Sequence, residues 1–128
     1  NNVAPRKRPL HTIIPGMCMK DGKVAYCYGI MGGGYQPVGH AHVLTNLIDF
    51  GMDPQEAIDS ARVFHVEGRL DVERGLGDDI VAGLKALGHE VGRPEMPWGG
   101  GQLIAVDWEN GTLAGASDPR KDGCALGY

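Results

Sequence analysis

The run Tyr28-Gly29-Ile30-Met31-Gly32-Gly33-Gly34 is the segment best suited to chemistry, because it lies where a strand-like stretch gives way to a helical pattern. Consecutive glycines leave backbone N–H groups unshielded, and a helix starting behind them adds the positive end of its dipole, so an anion can settle there. In acyl transfer such a turn serves as an oxyanion hole, with two amides aimed at the oxygen on which negative charge develops. A glycine-rich bend that binds nothing fits the same residues. The phosphate-loop pattern does not fit, since no Lys-Ser/Thr follows the last glycine.

The remaining polar residues point less sharply. His40 and His42 form an H-x-H pair, but on a helix residues two apart diverge by about 200° and cannot share a metal. They read as structural, one packed and one exposed. His11, beside Thr12, sits in a polar break before an apolar stretch and is the better candidate for contact with a substrate, provided a partner lies within reach. There is no G-x-S-x-G nucleophile elbow. Asp78-Asp79 complement a helix start, and Asp71 and Glu73 read as the solvated face of a short strand. Trp98 with Met96, in the 92–101 loop, forms either a lid over a pocket or a hydrophobic peg. Cys18, Cys27 and Cys124 are odd in number and lack C-x-x-C spacing, so neither a disulfide framework nor a zinc site is expected, and no cofactor is implied. That usage favours a reducing compartment, the cytoplasm over the periplasm.

The elements that must position these residues follow from patterning along 128 residues, one small domain's worth. Lys and Arg total 12 against 16 Asp and Glu, a formal charge of −4, which argues against a nucleic-acid partner. No apolar run approaches the roughly 18 residues needed to cross a membrane. Glycine, at 21 residues, is clustered rather than periodic and signals tight turns. Residues 1–6 are an entering arm. Ile13-Ile14 read as a short extended piece ending in a turn at Pro15-Gly16, and two strands flank the Asp21-Gly22 hairpin turn up to residue 31. A helix over 37–50 carries Ala41, Leu44, Leu47 and Ile48 on its apolar face and stops at Gly51. Asp53, Pro54 and Glu56 then open a second helix with a capping box. Val63–Val66 and Arg69–Val72 are short strands. A third helix runs from Asp78 to Gly88 with Ile80, Val81, Leu84 and Leu87 on one side. After the 92–101 loop, strands 102–109 and 112–116 flank Asn110-Gly111. The sum is one α+β unit with mainly antiparallel strands.

Taken in order, several longer motifs resemble the small, C-terminal subunit of the γ-glutamyltranspeptidase family of N-terminal-nucleophile hydrolases. They are Lys7-Arg8-Pro9-Leu10, the Lys20-Asp21-Gly22-Lys23 turn, Gly29-x-x-Gly32-Gly33, Asn46-Leu47-Ile48-Asp49-Phe50-Gly51, Ala61-Arg62-Val63-Phe64-His65 and Gly115-Ala116-Ser117-Asp118-Pro119-Arg120. The resemblance covers residue 6 to the end and implies a four-layer αββα sandwich, of which residues 1–128 form the C-terminal part. It also implies a self-cleaving precursor whose freed threonine attacks a γ-glutamyl or related acyl amide, with Gly32 and Gly33 donating the oxyanion amides. His11 and Thr12 stand where the family has adjacent serines that hold the glutamyl group, and Tyr35 places a bulky phenol nearby. His11-Thr12-Ile13-Ile14-Pro15 and Met31-Gly32-Gly33 look more like the broad branch that includes glutathione hydrolases and acylases of β-lactam side chains.

Residues 1–5, Asn-Asn-Val-Ala-Pro, do not match the family's nucleophile, and Thr12 and Thr45 are internal and carry no free amine. The expected partners are therefore an upstream large subunit and nucleophile-bearing segment, a small acyl amide and further copies of the protein. The chain alone is expected to be inactive and self-associating. The alternatives are a non-catalytic binding or structural domain that kept the sandwich, and an unrelated α+β domain.

Overall fold

In the computed structural model, which describes residues 1–128, Asp21 and Gly22 both take left-handed backbone angles (φ 51° and 76°). Lys20 thus faces Lys23 across a two-residue turn, the geometry that matches the twist of an antiparallel pair. The turn joins β1 (Pro15–Lys20) to β2 (Lys23–Met31). Pro15-Gly16 is not the turn expected from its composition: both residues belong to β1 and pair with Gly29 and Tyr28. Proline is tolerated there because it is the first residue of an edge strand. Gly16 makes room for the Tyr28 ring, whose Cζ would lie 2.6 Å from a Cβ at that position.

Beyond β2 come α1 (Gln36–Ile48), α2 (Pro54–Asp59), β3 (Val63–Val66) and β4 (Arg69–Val72), then α3 (Asp78–Ala86), β5 (Val91–Gly92), β6 (Gly100–Asp107) and β7 (Thr112–Ser117). One four-stranded antiparallel sheet has the order β1-β2-β6-β7, and a three-stranded sheet has the order β3-β4-β5. β5 overlaps the start of the 92–101 stretch read as a loop; it pairs parallel with β4, Leu70 opposite Val91. β6 begins two residues earlier than expected, and the loop after it is four residues long, since Asp107 pairs with Thr112. The Asp107 carboxylate organises that loop by accepting from the Glu109 and Asn110 amides at 2.9 and 3.1 Å.

Tyr28 and Ile30 of β2, Leu103 of β6 and Ala116 of β7 project from one face of the larger sheet into the core, against Val43 and Leu47 of α1 and Ala57 and Ile58 of α2. The buried side of α1 consists of Gly39, His40, Val43, Asn46 and Leu47. The expected Ala41, Leu44, Leu47, Ile48 stripe is rotated, leaving Ala41 and Ile48 exposed. The cause is a close approach at Gly39, where a Cβ would lie 2.7 Å from both Ile30 Cγ2 and Tyr35 Cε1. A second cause is the bond from Asn46 Nδ2 to Ser60 Oγ at 2.7 Å. Gly51 (φ 65°) does end the first helical segment, with the Met52 amide returning to the Asn46 carbonyl at 3.0 Å. The capping box of α2 forms as expected: Asp53 accepts from the Gln55 and Glu56 amides, and Glu56 from the Asp53 amide.

The other face of the larger sheet has no helix layer. Met17, Cys27, Ile104 and Leu113 are exposed there, and a groove bordered by Cys27, Ile104 and Leu113 is flanked by the C-terminal residues Ala125–Tyr128. α3 has no buried residue, and its Ile80 is exposed.

Candidate oxyanion turn and the buried ion-pair cluster beside it

The glycine turn joins the end of β2 to the start of α1. Met31 is the last residue of β2 and pairs with Gly100. Gly32 follows at φ 127° and Gly33 at φ 58°, conformations that side chains rarely adopt. The Tyr35 amide closes back on the Gly32 carbonyl at 3.0 Å, whereas the Gly32 and Gly33 amides have no partner among the turn and loop backbone bonds. A Cβ at Gly33 would meet nothing within 4 Å, so solvent or a ligand can approach that peptide.

Gln36, the first residue of α1, ties the entering segment to this turn. Its Nε2 donates to the Thr12 carbonyl at 2.9 Å and to the Gly33 carbonyl at 3.2 Å. Thr12 and Gly33 are thereby brought together, with His11 exposed at the adjoining position. Tyr35 lies elsewhere than a pocket wall: it is 1% exposed, packed edge-on to Phe64 and stacked with Trp98 at 6.1 Å. Desolvation pushes its phenol up to about 12, so it stays neutral. Tyr35 entered the core because the turn directs it inward, a direction that residue type alone does not specify. Trp98 is a peg in this aromatic group.

Of the two helical histidines, His40 Nδ1 donates to the Gln36 carbonyl at 2.7 Å. His42 is half-buried rather than exposed, with Nε2 2.8 Å from Ser60 Oγ. Burial, with the Arg62 and Arg120 charges, lowers its pKa. It is therefore a neutral bridge between α1 and α2.

The largest departure concerns the charges. Asp71 and Glu73, read as a solvated strand face, are buried, and Asp71 accepts from Arg69 at 2.7 Å. Glu73 belongs to a cluster with Arg62, Asp118 and Arg120 that residue-by-residue reading missed. Arg62 and Asp118 are both fully buried and bond at 2.6 Å. Arg120 reaches Glu73 at 2.6 Å and Asp118 at 3.2 Å. The Asp118 carboxylate also accepts from the Gly101 amide at 2.7 Å. Desolvation raises the Asp118 pKa, but the Arg120 amide, the Arg62 charge and bond, and the Gly101 amide more than offset this and hold it below the usual carboxylate value. The available signal was an arginine inside the otherwise apolar Ala61-Arg62-Val63-Phe64 and the Asp118-Pro119-Arg120 tripeptide; their meeting spans 56 residues of chain.

An antiparallel sheet with helices on one face and a glycine turn at a strand end is part of the frame of the N-terminal-nucleophile hydrolases, and solved structures of that class superpose on it. A cephalosporin acylase from Bacillus halodurans matches 92% of this chain with TM-score 0.83 and 40% identity, over 23% of its own length. The γ-glutamyltranspeptidase of Pseudomonas nitroreducens, complexed with L-DON, matches 100% of this chain and 67% of its own, with TM-score 0.81 and 28% identity. The family model for γ-glutamyltranspeptidase matches residues 1–128. The chain belongs to the γ-glutamyltranspeptidase family. It is also 40% identical to a glutathione hydrolase-like proenzyme of Bacillus subtilis over 99% of this chain and 26% of the relative. The chain thus spans about a quarter of the length of the curated relatives it matches.

Proposed function

We propose that the protein containing this chain is an amide-cleaving acyltransferase or hydrolase acting on γ-glutamyl or related acyl amides. In this reading the chain supplies the oxyanion donors and part of the acyl pocket. A threonine upstream of this chain, freed by cleavage of a precursor, attacks the amide carbonyl through its hydroxyl while its own amine takes the proton. The carbonyl oxygen becomes an oxyanion received by the Gly32 and Gly33 amides. Collapse expels the amine, which gains the proton, and leaves an acyl ester that water or an acceptor amine then resolves. His11 and Thr12 line the acyl pocket, where the family has paired serines. Tyr35 stays out of the pocket, its ring buried against Phe64 and Trp98.

The observation that carries this reading is the Gln36 side chain bonded to both the Thr12 and Gly33 carbonyls. It joins the proposed acyl-binding segment to the proposed oxyanion donors. Glutathione hydrolase-like and acylase relatives support the reaction class and leave the acyl group open between glutamyl and other acids.

The test is Gly33→Pro in the full-length protein. Proline removes the N–H and holds φ near −65°, incompatible with the observed +58°. Loss of one oxyanion donor lowers kcat by about 10²- to 10³-fold. Turnover of γ-glutamyl-p-nitroanilide and of acyl amides at near wild-type rates in this variant would remove the assignment. Circular dichroism of the variant separates that result from misfolding.

A further inference from the structure

We propose that Arg62 and Glu73 are positioning residues for the glycine turn, acting through the backbone of Trp98 and Gly99. The inference rests on the reading of Gly32 and Gly33 as oxyanion donors and adds what keeps them in place.

Arg62 Nη1 donates to the Trp98 carbonyl at 2.7 Å, and Glu73 Oε1 accepts from the Trp98 amide at 3.1 Å. Buried charged groups therefore hold both polar ends of residue 98. The next residue, Gly99, lies against the turn. A Cβ at Gly99 would be 2.7 Å from the Met31 carbonyl oxygen and 2.9 Å from the Tyr35 ring. Conversely, a Cβ at Gly32 would be 3.0 Å from Gly99 Cα and 3.4 Å from its nitrogen. The two glycine backbones touch with no side chain between them, so a shift of residue 98 is passed directly to residue 32.

Stability alone is a weak reason for this cluster. Two charges taken out of water often gain little over a well-packed apolar pair of the same size. What charged partners add here is direction, because the Arg62 guanidinium presents several donors in a rigid plane. One edge reaches Trp98, and Nη2 reaches both Asp118 and the Ile58 carbonyl, at 2.6 and 3.2 Å. Asp118 orients the guanidinium, and Arg120 orients Glu73. A bond to a charged partner is also shorter and stiffer than a neutral one. Oxyanion donors displaced by 1 Å can cost about 10²-fold in rate.

The experiment uses Arg62→Met and Arg62→Lys in the full-length protein, with kcat expressed per titrated active site and KM measured separately. Lysine keeps a charge for Asp118 but lacks the guanidinium fork, and it remains testable if the methionine variant does not fold. The expected result is a fall in kcat of tenfold or more in Arg62→Lys, and of about 10²-fold in Arg62→Met, with KM changed less than threefold. A purely structural role would lower the amount of folded enzyme and its melting temperature but leave kcat per site unchanged. A kcat within tenfold of wild type in the folded variants, or a loss carried mainly by KM, overturns the proposal. The Gly33→Pro result separates the two ideas. If that variant loses kcat while the Arg62 variants keep it, only the positioning role falls; if Gly33→Pro remains active, the oxyanion reading falls as well.

Discussion

At the scale of single residues, the interior of this chain depends on charge in a way that pH and substitution can probe. Asp118 is the hub, accepting from Arg62, Arg120 and the Gly101 amide. Asp118→Asn keeps the shape and removes the charge that compensates Arg62. Breaking a buried pair by removing one partner costs about 3–5 kcal/mol, so the thermal midpoint of the full-length protein should fall by several degrees. His42 adds a milder acid sensitivity. Its pKa is lowered in the folded state, so the unfolded chain binds a proton first as pH drops. The stabilisation from keeping His42 neutral is complete above about pH 6.5 and is lost as pH falls through the lower folded value. Chemical denaturation between pH 7 and 5 should show this slope in wild type and a shallower one in His42→Gln; equal slopes would contradict it.

At the scale of elements, α1 is positioned by a close approach rather than by its apolar stripe. Gly39 lets the helix sit against Ile30 and the Tyr35 ring, and Gly39→Ala would place a methyl group at 2.7 Å from both. Overpacking of this kind costs about 1–3 kcal/mol. Because Gln36 lies one turn away on the same helix, the displacement should also loosen the bridge between Thr12 and Gly33. The measurable outcome is a lower melting temperature together with a raised KM for acyl amides. A variant that loses stability with unchanged KM would separate helix packing from the pocket. Short α2 depends on its ends instead: Asp53→Ala removes the capping acceptor and should cost about 1 kcal/mol in a denaturation curve.

At the scale of the whole molecule, the larger sheet is covered on one face and open on the other. Met17, Ile104 and Leu113 are exposed on the open face, and Ile80 and Leu87 are exposed in and just after α3. Apolar surface of this extent associates when left in water. The isolated chain should therefore sediment as a dimer or larger species, and under the proposed mechanism it should cleave no amide, because the attacking threonine of that mechanism lies outside these residues. A monodisperse, active monomer in the ultracentrifuge and the amidase assay would overturn both expectations.

Local chemistry determined much of this in advance. The two-residue Asp21-Gly22 turn, the α2 capping box, the strands at 63–66 and 69–72 and the glycine turn were legible because each depends on φ preferences or hydrogen bonds between residues a few positions apart. Other features were decided only when distant segments met. The burial of Glu73 depends on Arg120, 47 residues away, and the burial of Arg62 on Asp118. The inward direction of Tyr35, the rotated face of α1 and the parallel β4–β5 pair likewise depend on what packs against them. Glu73, just past β4, looks solvated until Arg120 arrives, because a carboxylate's tolerance of burial depends on the partners it meets.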